Sequence, residues 1–258
     1  MQMGQRPQDG SHNKSLSRGL EILRLLVEAS GPVSATELGV RMNLHQSSVS
    51  RILATLSAGG YVRKADYRSF EPDFGVLGLG LAASTSFELT SKPRAAMLAA
   101  AGLVDGLQVS LCVLWREEMI YFLRTSKGAE PIVFSGGYPL HMSSPALRLM
   151  MDMPEDEALA LLRASRRRHG WPRPTELVPE TEEQVLIAAR DQFQHGCVVL
   201  DGWVEPDALS AAIKLTTRTP HPTALALSGP RSVAADGTIR LWLHEISRSV
   251  QTALDDPA

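Results

Sequence analysis

Between Pro32 and Ser69 the chain reads PVSATELGVRMNLHQSSVSRILATLSAGGYVRKADYRS, and few folds accommodate that order of caps, apolar stripes and turn residues. Ser34 stands three residues before Glu37, the spacing at which a serine hydroxyl accepts from the Glu37 amide while the carboxylate reaches back to the Ser34 amide. Val33 and Leu38 flank this capping box as a hydrophobic staple and set the angle of entry. The helix so begun runs to about Met42 and stops at Asn43, a residue that tolerates the left-handed conformation of a tight turn. A second helix follows with Val49, Ile52, Leu53 and Leu56 at i, i+3, i+4 and i+7, a stripe turned toward a core. At about 100° per residue its opposite face is Ser47, Arg51, Ala54 and Ala58, flanked by Ser50 and Thr55. Gly59 and Gly60 end it, Tyr61, Val62 and Arg63 form a strand, and the next turn carries Lys64, Tyr67 and Arg68. The pattern is a winged helix-turn-helix.

An exposed helical face of small polar residues and one arginine suits a DNA major groove, because a bulky face would be held away from the base edges. Gln46, Ser47, Ser50 and Arg51 are the base-reading candidates, since glutamine pairs bidentately with adenine and arginine with guanine. Ser47, Ser48 and Thr55 suit phosphate oxygens equally well, and Ser34 at the first helix start joins the contact set. A hairpin tip bearing Lys64, Tyr67 and Arg68 suits the phosphate backbone. Helix-turn-helix geometry also serves protein assembly, so that alternative stays open on shape alone. Charge argues against it: residues 1–72 hold 9 Lys and Arg against 6 Asp and Glu, and the remainder 17 against 22. A basic front module on an acidic body fits a DNA reader joined to a domain with another task.

A chain of 258 residues has room for such a module and a second domain with its own core. Cys112 and Cys197 form neither a disulfide framework nor a CxxC pair, which points to a reducing, cytoplasmic setting. The opening MQMGQRPQDGSHNKS lacks an apolar core and reads as a frayed tail over 1–14, not a secretory signal. Ala95 to Trp115 is apolar but interrupted by Asp105 and Gln108, so a buried helix turning into a buried strand fits better than a membrane span. The expected organisation is a DNA-binding domain over 15–72, a linker helix over 73–90 and a second domain over 91–258.

Beyond the linker the pattern predicts a helix over Lys92–Asp105 and strands over Gln108–Trp115, Met119–Arg124 and Pro131–Ser135. Helices from Pro145, over Pro154–Ser165 and over Glu180–His195 follow. Strands resume at Cys197–Leu200, Ala208–Thr216 and Thr223–Leu227, before a last helix over Thr238–Leu254. Strands grouped together with helices between the groups predict an α+β domain around an antiparallel sheet.

The stretch SLSRGLEILRLL, the helix pair with SVSRILATLSAGGYV, and then GGYPLHMSSPA, QHGCVVLD and TALALSGP resemble, in that order, the IclR family of bacterial transcriptional regulators. The resemblance spans nearly the whole chain and is most specific at the N-terminal end. It implies a winged helix-turn-helix on a GAF-like effector-binding domain, dimerisation through the DNA-binding modules and assembly as a dimer or dimer of dimers. It further implies a small-metabolite effector. Pro145, Ala146 and Leu147 stand where the family commonly has a small residue, glycine and lysine, and Cys197, Asp201 and Trp203 also depart from its pattern. Carried over by position, Leu140, His141, Met142, Ser143, Ser144, Asp201, Ser210 and Ser228 match places lining the family's ligand site. Trp115 is added as a wall residue. Hydroxyls and backbone amides near Ser143 and Ser144 suit a carboxylate, and Trp115 with Trp203 suggests an aromatic organic acid.

Other chemistry finds little support. His141, Ser143, Ser144 and Asp152 lie close in sequence, but no G-x-S-x-G nucleophile turn is present. Gly78, Gly80 and Ala83 imitate a dinucleotide fingerprint without a βαβ unit around them. No H-x-x-x-H pair marks a metal site, although folding could assemble one from Cys112, His141 or His195. No cofactor is expected. Three function classes remain: a ligand-responsive regulator binding an inverted-repeat operator on double-stranded DNA, a helix-turn-helix assembly module, and a metabolite-binding enzyme with an appended DNA-binding domain. The first is preferred.

Overall fold

Ser34 does in the structure what its spacing predicts. Its hydroxyl accepts from the Glu37 amide at 3.2 Å, and the Glu37 carboxylate accepts from the Ser34 amide at 3.0 Å. The computed structural model of the chain describes residues 13–129, 132–135 and 138–256. Two compact units emerge, one ending at Thr85 and the other beginning at Ser86.

The first unit holds α1 (Lys14–Glu28), β1 (Val33–Ser34), α2 (Ala35–Met42), α3 (Gln46–Ala58), β2 (Val62–Lys64), β3 (Ser69–Pro72) and α4 (Phe74–Ser86). Residues 1–12 of the expected tail lie outside the described residues. Asn13 and Lys14 already belong to the fold, since the Asn13 side chain caps α1 by accepting from the Ser15 and Leu16 amides. Asn43 closes α2 at φ 52, ψ 50, and the following Leu44 amide returns to the Gly39 carbonyl at 2.9 Å. That return crosses Gly39 so closely that a Cβ there would stand 2.9 Å from the Leu44 oxygen. A side chain at this position would therefore push the two helices apart.

Ile22, Leu26, Val33, Leu38, Val49, Leu53 and Val62 bury together as the core of this unit, so the staple pair and the α3 stripe share it. The hairpin gains a strand that its sequence did not announce: β1 pairs with β3, Val33 opposite Phe70, giving the order β1-β3-β2. The expected linker helix is broken. α4 stops at Ser86, Phe87 takes an extended conformation, and a short α5 (Glu88–Ser91) begins the second unit. The Phe87 ring meets Phe122 edge-on at 6.3 Å, a contact that a continuous helix pattern does not reveal.

The second unit continues with α6 (Arg94–Leu103), β4 (Gln108–Trp115), β5 (Glu118–Thr125) and β6 (Ile132–Ser135). A 3-10 turn (Leu140–Met142), α7 (Ser144–Met150), α8 (Glu155–His169) and α9 (Glu182–Asp191) follow. β7 (Cys197–Asp201), β8 (Ala208–Leu215), β9 (Thr223–Pro230) and α10 (Asp236–Asp255) complete it. Pro131, expected to open β6, lies outside the described residues. The strands form one antiparallel sheet in the order β6-β5-β4-β9-β8-β7, so the chain is an α+β protein.

Strand alternation divides this sheet into two packed faces. Val109, Leu111, Leu123, Ala211, Leu225 and Leu227 bury against α6 and α10, whose Ile239, Leu243, Ile246 and Val250 recur at helical spacing. Cys112, Leu114, Ala212, Ala224 and Ala226 face α7, α8 and α9. α8 carries Glu155, Asp156 and Glu157 in its first turn and Arg166 to His169 in its last, matching the helix dipole at both ends. No helix among the described residues is long and apolar enough to cross a membrane.

Candidate functional site

The α3 stripe buries Val49 and Leu53, which forces the other side of that helix outward. Gln46, Ser47, Ser50, Arg51 and Thr55 are exposed as a result, while Ser48 is half-buried. A groove of about 1000 Å³ runs between α3 and the hairpin and gathers Ser34, Gln46, Ser50, Lys64, Tyr67 and Arg68. Ser47, Arg51 and Thr55 stand outside its lining. At the hairpin tip the Asp66 carboxylate accepts from the Arg68 and Ser69 amides and from the Ser69 hydroxyl, which fixes the turn. These same bonds hold the Asp66 carboxyl below its ordinary range. Arg68 lies over the Tyr67 ring at 4.8 Å, and Arg63 pairs with Glu71 across the two strands at 2.8 Å. The groove presents hydroxyls, one amide side chain and three cations, Arg63 among them already paired with Glu71, with Asp73 as the one carboxylate of the described lining.

A second cavity, about 540 Å³, opens in the other unit on the sheet face covered by α7. Ser110, Tyr121, Arg124, Tyr138, Met142, Ser210 and Ser228 line it. Strand register explains the set. Ser110 sits opposite Arg124 and opposite Ala226, while Ser228 sits opposite Ser210, so one face carries the hydroxyls and the guanidinium together. Tyr121 joins them through an irregularity: Leu111 pairs with Leu123 but Cys112 pairs with Tyr121, leaving Phe122 as an extra residue. This β-bulge puts residues 121 and 124 on one face, where strict alternation would separate them.

Arg124 bonds the Gln108 side chain and lies over the Tyr121 ring at 4.9 Å. It is the one cation among the described lining residues. The Tyr121 hydroxyl meets Ser143 Oγ at 3.0 Å, and burial first, then the neighbouring Cys112, keeps its phenol protonated well above the ordinary range. Burial also raises Tyr138. Among the described lining residues the phenols are thus neutral, and the charges are Arg124 with the exposed Glu205 and Asp207.

The sequence-derived ligand residues divide into three groups. Met142, Ser210 and Ser228 line the cavity. Ser143 and Ser144 are buried just behind it, tied to Tyr121 and, at 2.5 Å, to Ser210. Leu140 is buried among core residues of the same face. His141 stacks on Trp171 at 3.9 Å, with Nε2 facing the Pro172 carbonyl and Nδ1 without a partner among the described residues. Asp201 lies opposite Leu209, one residue out of phase with Ser210, and pairs at the surface with Arg231. Trp115 sits out of phase with Ser110 and five residues along β4, about 17 Å away at about 3.3 Å per residue. Trp203 is buried in the core, so the aromatic wall comes from Tyr121 and Tyr138, at 6.2 Å and 83° to each other.

Ser110, Tyr121, Arg124 and Tyr138 escape a reading of the sequence. A polar residue at Ser110 within the apolar run of β4 is the one local signal; the bulge that aims Arg124 has none. His141 touches neither serine in a nucleophile arrangement, and among the described residues no three His, Cys, Asp or Glu side chains group as a metal site.

Burial holds the His141 imidazole below its ordinary value of 6.5. His169 is lowered for the same reason. The unfolded chain therefore binds more protons than the folded one just below pH 6.5, and stability falls as pH drops through that value until the folded histidines protonate. Thermal melts from about pH 7.5 to about pH 5.5 should show this decline. His141→Phe, which keeps an aromatic ring on Trp171, should remove part of the slope; an unchanged slope would rule His141 out as a contributor.

Comparisons with known proteins agree with this architecture. The sequence profile of the IclR helix-turn-helix domain matches residues 15–66. The transcriptional repressor IclR of Escherichia coli is 39% identical over 51 residues, 20% of this chain and 19% of that protein, so the matched region spans about a fifth of the curated relative. An IclR-family regulator from Brucella abortus superposes with TM-score 0.79 at 24% identity, covering 98% of this chain and 96% of the other. An IclR homologue from Microbacterium hydrocarbonoxydans, solved with 4-hydroxybenzoate, superposes with TM-score 0.69 at 20% identity, covering 93% and 99%. This chain therefore carries an IclR helix-turn-helix domain at its front, within a fold shared along nearly its whole length with IclR-family transcriptional regulators.

Proposed function

We propose that this chain is a ligand-responsive transcriptional regulator that binds an inverted-repeat operator as a dimer or dimer of dimers, under the control of a small organic acid. The observation that carries the DNA half is the α3 and hairpin groove, with Gln46, Ser50, Lys64, Tyr67 and Arg68 on its walls. Ser34, Ser48 and Thr55 add phosphate contacts, and Ser47 and Arg51 on the outer crest of α3 reach base edges. Self-association is supported by apolar surface: Leu16, Leu20 and Val27 on α1 and Phe74, Leu77, Leu79 and Leu81 on α4 are all more than half exposed. An apolar helix without a wet face calls for a partner helix. Two-fold pairing then places two recognition helices about 34 Å apart or at a multiple of it.

The acid half rests on the second cavity, where Arg124 and the hydroxyls of Ser110, Ser210 and Ser228 converge between two tyrosines. An aromatic acid in a structural relative, 4-hydroxybenzoate, is consistent with that chemistry. The family-matched positions Leu140, His141, Ser143, Ser144 and Asp201 then support the site from behind or beside it.

Fluorescence anisotropy with promoter-region DNA across a salt series, with and without benzoate-type acids, tests both halves. Arg51→Ala should weaken operator binding about tenfold to a hundredfold and leave random DNA nearly unaffected. Arg68→Ala should weaken both and reduce the salt slope by about one. Binding that ignores sequence, salt and both substitutions would reject the DNA assignment.

A further inference from the structure

The acid-binding cavity has a second electrical pole. Glu205 and Asp207, from the segment between β7 and β8, line the same space as Arg124 and stand exposed at its mouth. Arg231, whose amide bonds the Asp207 carbonyl, directs its guanidinium to Asp201. The described lining therefore carries one positive and two negative side chains. Carboxylates at the entrance oppose a simple monoanion and favour a ligand that brings its own positive charge.

Position separates the two poles. Arg124 is on β5 and is in register with Ala212 of β8, three strand steps or about 14 Å across the sheet, and Asp207 stands five residues further along, so the two backbones are about 22 Å apart and the long Arg124 side chain spans part of that gap. The Tyr138 phenol lies between them electrically: apart from burial, Arg124 and Glu205 act on it with opposite sign. With Tyr121 edge-on to Tyr138, the ring pair offers an apolar wall along the middle and π-faces toward a cation.

Resting on the reading of this cavity as an acid site, we propose that its occupant is an elongated zwitterion, with a carboxylate at Arg124 and an ammonium at Glu205 and Asp207. The two charges lie at opposite ends of a ring or short chain, unlike the adjacent charges of an α-amino acid.

Titration calorimetry of the full chain with matched probes tests this. The pairs are 4-methylbenzoate against 4-(aminomethyl)benzoate and pentanoate against 5-aminopentanoate, with phenylalanine as the adjacent-charge control. The ammonium-bearing member of at least one pair should bind about three- to tenfold more tightly, and phenylalanine more weakly. The double variant Glu205→Gln, Asp207→Asn should erase that preference and bind the amine-free acid at least as tightly as the parent, since the opposing charges are gone. If both members bind equally, or the preference survives the double variant, the zwitterion is overturned and the acid site stands. If no probe binds, the acid site falls and the zwitterion with it.

Discussion

Arg240→Met is expected to cost the second unit about 2–3 kcal/mol, lowering its melting temperature by about 5–10 °C. Arg240 is almost fully buried on α10, and its guanidinium is spread over four acceptors. Nε donates to Asp236 at 2.8 Å, Nη1 to the Gln194 and Cys197 carbonyls at 3.1 Å each, and Nη2 to the Gln192 carbonyl at 3.0 Å. Those carbonyls belong to the turn from α9 into β7, where His195 and Gly196 both take positive φ. The Gln194 and Cys197 carbonyls also accept each other's backbone amides at 2.9 and 3.0 Å, so Arg240 adds a second donor to both and supplies the Gln192 carbonyl at the helix end. Methionine fills much of the volume but removes four charge-assisted bonds and strands the Gln192 carbonyl, while the Gln194 and Cys197 carbonyls keep their backbone partners. Arg240→Lys keeps the charge without the planar fork and should fall between the two. Calorimetric scans would measure all three proteins; equal melting temperatures would refute the role.

Arg124→Leu should reduce affinity for benzoate-type acids about thirtyfold to a thousandfold, the effect of removing about 2–4 kcal/mol of buried charge pairing. DNA affinity measured without acid should stay within about twofold, because the substitution leaves the α3 groove untouched. Arg124→Lys should recover part of the acid affinity and shows whether the planar geometry matters beyond the charge. Circular dichroism checks the fold, since Arg124 also holds the Gln108 side chain and covers the Tyr121 ring. Equal acid affinity in the folded Leu variant would move the carboxylate elsewhere in the cavity.

The DNA-facing end was legible because its signals are local. A serine and a glutamate three apart, an asparagine at a left-handed turn and an apolar stripe at helical period each act within one or two turns of chain. The strands of the sheet were legible for the same reason. Asp201 and Trp115 show where local reading stops: each lies in a strand next to pocket-face positions, yet one residue out of phase with them. Arg124 shows the reverse, since an extra residue at Phe122 turns it onto the face that alternation from Tyr121 would deny it. Phase in a sheet depends on the partner strand, and no single segment carries that information.

Ser143 belongs at once to a helix and to the cavity. Its oxygen accepts from the Ala146 amide at 3.3 Å as the cap of α7, and it meets the Tyr121 hydroxyl at 3.0 Å. An anion against Tyr121 draws the phenol proton toward itself, so Ser143 must then donate to the tyrosine oxygen while still accepting from Ala146. Amide, serine and tyrosine would then point their protons one way, toward the accepting anion, each bond polarising the next. A ligand arriving there would be written into the orientation of two hydroxyl hydrogens before any heavy atom moves.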